Sequence, residues 1–178
     1  MKKSIFQVFS FLFVLLTINI VVAQEVNIKE DSAKYIVPQS ENADLKLIVP
    51  PSGFEVSTLF NGYIYLQGSS SIIMTLIEDV NYMKICEGMT DEFYKRNKLT
   101  YISDSKFTSV AGVKGRMYKF SFQIENDQYI RYMVYAGDLK RTLWLNITYP
   151  IKFEELIEGE MIKSINSINF KPTTDEKK

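Results

Sequence analysis

The chain contains no histidine at all among its 178 residues. That absence removes Ser-His-Asp triads, Cys-His dyads and every metal site built on imidazole. Any catalysis would have to rest on Asp, Glu, Lys, Tyr or Ser. Cysteine is nearly absent as well. Cys86 stands alone, so no internal disulfide is possible and the fold must hold by burial. Its expected place is a small buried hydrophobe, with an intermolecular link between two chains as the other reading. Charge of one sign is also missing: 21 basic residues meet 21 acidic ones with no basic cluster. Phosphate neutralisation needs concentrated Lys and Arg, so nucleic acid is excluded as an expected partner.

One long apolar run is present, at the start. Lys2 and Lys3 precede an apolar stretch from Ile5 to Val22, and Val21-Val22-Ala23 offers small residues ahead of Gln24. This pattern predicts a signal peptide over residues 1–23 and export to the periplasm or the extracellular side of a bacterial envelope. Cleavage there leaves 155 of 178 residues. It also removes two of the 21 basic residues and no acid, for a formal charge of −2. No cysteine follows the run to carry a lipid, and no membrane span is expected after cleavage.

Residues 24–44 are polar and read as a flexible lead-in, with one short strand at 34–37. A single α+β domain is expected over 45–170, followed by a solvated tail at 171–178. Strands are predicted at 45–49, 54–59 and 63–67, the last two joined at Asn61-Gly62. The run Ile72-Ile73-Met74-Thr75-Leu76-Ile77 is apolar on both parities and suits a central strand covered on both faces. Thr90 reads as a helix N-cap, with Asp91 and Glu92 behind it where the helix dipole favours acids. Residues 82–88 have no clear assignment. Phe153, Ile157, Met161, Ile165 and Ile168 form an apolar stripe at helical spacing after Pro150.

Four strands at 100–107, 116–124, 129–136 and 142–149 form an antiparallel meander, with helices packed on the faces of the sheet. Placing Tyr118, Phe120, Phe122, Ile130, Tyr132, Val134, Leu143, Leu145 and Ile147 on one face sets a register. Ile124 then pairs with Ile130, Phe120 with Val134, and Val134 with Leu145 across a four-residue loop. The opposite face carries the rows Lys119–Tyr135–Trp144, Ser121–Met133–Asn146 and Gln123–Arg131–Thr148.

That second face supplies the candidate site residues: Trp144, Tyr135, Lys119, Met133 and Arg131. An amphipathic aromatic beside a cation is what recognition surfaces favour. The plainer reading makes the row a second core layer under the helix near 90–98. Other groupings fail on spacing. Glu78 and Asp79 are adjacent strand residues and point to opposite faces, so they cannot serve one cleft as a glycosidase pair. Asp104 beside Ser103 and Ser105 lacks nucleophile-elbow spacing. Glu125-Asn126-Asp127 lacks calcium-loop spacing. No catalytic residue, metal ligand or cofactor is therefore assigned. An envelope hydrolase using carboxylate or Lys/Tyr chemistry remains the alternative function.

Several short motifs resemble the PsbP-like α/β/α sandwich superfamily. They are Val49-Pro50-Pro51-Ser52-Gly53-Phe54, the turn at residues 110–115, Tyr149-Pro150 before the last helix, and residues 164–170 at the close. The resemblance implies an antiparallel sheet with helices on both faces, and a non-enzymatic accessory or binding role. Partners under that reading are an envelope protein or a small apolar ligand. Metal sites of photosynthetic members use histidine and are not carried over.

Overall fold

The computed structural model describes residues 44–170, which lie within the compact unit Ser40–Lys178. The expected signal peptide, most of the lead-in and the terminal tail lie outside the described residues. Seven strands form one antiparallel sheet: β1 (Glu55–Val56), β2 (Gly62–Tyr65), β3 (Ser70–Glu78), β4 (Thr100–Thr108), β5 (Lys114–Ile124), β6 (Asp127–Gly137) and β7 (Arg141–Pro150). Their order is β1-β2-β3-β7-β6-β5-β4. Helices α1 (Tyr82–Glu87) and α2 (Asp91–Arg96) separate β3 from β4, and α3 (Glu154–Asn166) follows β7. The architecture is the expected α+β one, an antiparallel sheet with helices on its faces.

Local chemistry explains the helix starts. Asn81 Oδ1 accepts from the Met83 amide at 2.9 Å, and Thr90 Oγ1 from the Phe93 amide at 3.3 Å. Each cap satisfies an orphan donor of a helix only six residues long. The stripe on α3 behaves as its spacing requires. Met161, Ile165 and the following Ile168 are fully buried with Ile72, Met74, Val134, Leu145 and Ile147.

The amino-terminal part departs from expectation. Residues 45–49 form no strand; a 3-10 turn (Asp44–Leu47) leads into buried Ile48, and Pro50 and Pro51 follow. The strand expected at 54–59 shrinks to two residues, and no tight turn forms at Asn61-Gly62. Instead Gly62 opens β2 at φ +146°, so close to β3 that a Cβ would lie 1.9 Å from the Ile72 carbonyl oxygen.

The meander strands fall where predicted, but one register does not. β6 and β7 pair Gly137 with Thr142 and Val134 with Leu145, as the four-residue loop required. β5 and β6 pair Ile124 with Asp127, Phe122 with Tyr129 and Phe120 with Arg131. Their connection is therefore the two-residue turn Glu125-Asn126, with Glu125 at φ +53°. The shift is odd in residue number, so it moves every side chain of β5 to the other face. Phe120 and Leu145 are both fully buried, yet beneath different helical layers. Helix α3 covers the face of Val134 and Leu145. The other face lies under α1 and α2, where Tyr94 of α2 meets Phe120 at a ring separation of 4.9 Å.

The same shift carries Lys119 to the α3 side, opposite Tyr132. Its Nζ lies 2.6 Å from Glu154 and 2.5 Å from Glu158, and the Tyr132 hydroxyl donates to Glu158 as well. Burial opposes ionisation of Glu158, but hydrogen bonds from Lys119 and Tyr132 hold its carboxyl below the ordinary value. A depressed folded-state pKa stabilises the fold above the ordinary value near 4.5 and loses that contribution as pH falls through the folded value. Glu158→Gln should therefore lower stability by about 1 kcal/mol near pH 7, because the pair is only partly buried. It should also flatten the fall of the urea midpoint between pH 5 and pH 3. An unchanged acid limb in the variant would show that this clamp contributes nothing.

Candidate functional site

The face under α1 and α2 is built from alternate residues of β3, β7, β6 and β5. Three rows cross it: Ser71–Thr148–Arg131–Phe120, Ile73–Asn146–Met133–Tyr118 and Thr75–Trp144–Tyr135–Arg116. Trp144, Tyr135, Met133 and Arg131 thus share one face, as the β6–β7 register required. Lys119 is not among them, and Arg116 occupies its place in the row. The exchange follows from the two-residue turn at Glu125-Asn126, whose glutamate at positive φ gives no sequence signal for it.

The face is largely covered. Tyr135 is 4% exposed, Met133 4% and Arg131 1%, while Trp144 is half-buried. Trp144 stacks on Tyr135 with ring centroids 6.1 Å apart, and the Tyr135 hydroxyl lies 3.6 Å from the Met89 sulfur. Desolvation raises the Tyr135 phenol, so it stays protonated. Burial also pushes the Arg131 guanidinium down to about 10, which leaves it charged at neutral pH. Its Nε points to Thr148 Oγ1 at 3.5 Å, and it stacks 4.2 Å from the Phe122 ring centre.

Towards β4 the face opens into a cavity of about 180 Å³ among Cys86, Met89, Tyr94, Tyr101, Asp104, Arg116 and Tyr118. It is smaller than a typical drug-sized site. Arg116 sends Nε and Nη2 to one oxygen of Asp104, at 2.9 and 2.7 Å. The Tyr101 hydroxyl donates to the other oxygen at 2.6 Å. Those bonds, Tyr101 first, hold the Asp104 carboxyl below its usual range. Cys86 is a free thiol whose pKa is raised by burial, which makes it a poor nucleophile. Among the described residues no three Cys, Asp or Glu gather as a metal-binding group. None of their helices is long and apolar enough to cross a membrane.

Fold and site together define an α+β protein whose seven-stranded sheet has an aliphatic core under one long helix. An aromatic, polar second layer lies under two short ones. Solved structures are similar to it, among them the following two. LpqN, a protein involved in cell envelope biogenesis of Mycobacterium tuberculosis, matches at 14% identity and a TM-score of 0.49, over 70% of this chain and 79% of its own. A Pseudomonas aeruginosa protein of unknown function, PA94, matches at 11% identity and a TM-score of 0.46, over 58% of this chain and 74% of its own. No protein-family model and no curated protein matches the chain.

Proposed function

We propose that the chain is a non-catalytic exported accessory protein of the PsbP-like kind. It engages a partner protein or a small apolar molecule over the face of Trp144. The observation that supports this reading is the state of the indole. Its ring is half-buried, yet its Nε1–H is buried without an acceptor beside the stacked Tyr135. An indole donor shut away from water is normally paired, and an incoming ligand or partner would supply what is missing. Export rests on the reading of residues 1–23.

The test is crosslinking in vivo from position 75, where exposed Thr75 pairs with Trp144 on the same face, with identification of what is captured. Trp144→Ala should weaken capture at least tenfold, a loss of about 1.4 kcal/mol. Its stability cost should stay near 1–2 kcal/mol, below the 3–5 of a fully buried aromatic. A larger loss of stability with unchanged capture would make the indole an ordinary part of the second core layer. Tyr135→Ala is not a clean probe, because that ring is itself buried.

The hydrolase alternative has one grouping in its favour, the cluster of Lys119, Tyr132, Glu154 and Glu158. Burial works against the Lys119 ammonium, but hydrogen bonds to the two glutamates outweigh it and raise its pKa. A lysine held protonated is a poor nucleophile or base. Turnover on a broad substrate panel, abolished by Glu158→Gln in a folded protein, would establish this alternative.

A further inference from the structure

Four buried polar atoms without a hydrogen-bond partner lie together on the face under the short helices: Ser71 Oγ, Arg131 Nη2, Trp144 Nε1 and Asn146 Oδ1. Register explains their closeness. Ser71 pairs with Thr148, Thr148 pairs with Arg131, and Asn146 and Trp144 are the next same-face residues along β7. Isolated orphans of this sort are uncommon in folded proteins, and a contiguous group calls for a missing partner.

Arg131 sets the chemistry of that partner. The residue is 1% exposed, and among the described residues no carboxylate forms an ion pair with it. A buried charge is retained only when something compensates it. The other arginine of this face, Arg116, is already matched by Asp104. One uncompensated positive charge remains, which calls for a monoanion. The planar fork of a guanidinium suits the two oxygens of a carboxylate. Around it the face is apolar or aromatic, with Met133, Phe120, Phe122 and Tyr135 all buried.

We propose that Arg131, with Ser71, Thr148 and Asn146 beside it, receives the carboxylate of a small apolar acid whose body runs along Met133 toward Trp144. This rests on the binding role proposed above and names the chemistry of the ligand.

The experiment titrates the purified full chain with octanoate, octylammonium and 1-octanol, which share a hydrocarbon body and differ in head group. Fluorescence of Trp144, the single tryptophan, reports occupancy, and carboxyl-labelled octanoate reports the head group by NMR. Octanoate should saturate at a concentration roughly tenfold below either control. Arg131→Met should lose at least tenfold in octanoate affinity, and its thermal midpoint should stay level or rise once the unpaired charge is gone. Arg131→Lys, which keeps the charge but not the fork, should fall between. Equal binding of the three probes, or none, overturns the proposal. Where Arg131→Met fails to fold for want of its packing on Phe122, Arg131→Lys carries the test, and octanoate affinity unchanged in that variant overturns the proposal. If octanoate fails while crosslinking at position 75 still captures a partner, the binding role stands and only the carboxylate is lost.

Discussion

Phe120→Ala should unfold at a markedly lower temperature, with a loss of about 3–5 kcal/mol. The ring has no exposed surface and sits among Tyr94, Tyr101 and Tyr118, with centroids 4.9, 6.1 and 6.4 Å away. Short helices cannot close over the space it leaves without losing their own contacts, so the cavity term adds to the transfer term. The substitution also reports the register directly. In a double-mutant cycle Phe120 should couple to Tyr94 by about 0.5–1.5 kcal/mol, as contacting aromatic pairs do. It should be additive with Val134→Ala, whose side chain lies beneath α3. Urea unfolding of the three single and two double variants measures both quantities. Coupling to Val134 and none to Tyr94 would restore the register in which those two side chains face each other.

Gly137→Ala should be nearly as costly, at about 3 kcal/mol, for a steric reason. A Cβ there would lie 1.9 Å from the Arg141 carbonyl oxygen and 2.9 Å from its carbon. Both obstacles are backbone, held by the β6–β7 pairing of Gly137 with Thr142. Nothing can rotate away, so the hairpin at the centre of the sheet must shift. Gly159→Ala is the matched control. That residue is exposed within α3, and a Cβ would meet nothing within 4 Å. Its replacement should raise stability by about 0.5–1 kcal/mol, since glycine costs a helix that much relative to alanine. Thermal unfolding of the two variants side by side gives the contrast. A Gly137→Ala protein as stable as the parent would mean that the two strands are not so closely joined at that end.

How far the candidate site was legible depended on two turns. Asp138 closes the β6–β7 loop by accepting from the amides of Lys140 and Arg141 at 2.8 and 2.9 Å. The four-residue spacing read from the strand pattern was therefore enough to put Tyr135 beside Trp144. The β5–β6 turn carries no such cue, because it places a glutamate at positive φ, where Asn or Gly is the usual signal. Gathering all the apolar residues on one face selects the other pairing. That rule holds when a sheet has one dry face. Here β6 is buried from Tyr129 to Ala136 on both parities, so two cores compete for the same strands. Lys119 and Arg116 consequently exchanged faces, and the clamp to α3 was invisible. Residues 82–88 were likewise unreadable, because a six-residue helix shows too little period to stand out.

Some properties followed from the chain alone. The spans of the meander strands, the stripe of α3, the cap at Thr90 and the exclusion of histidine chemistry all depend on residue type and local spacing. Those act over a few positions and survive in any fold. Which parity of β5 faces which helical layer, and that Arg131 is buried without a partner, were decided only by packing. Alternation defines two faces of a strand, but when helices cover both, nothing local says which neighbour each face will meet.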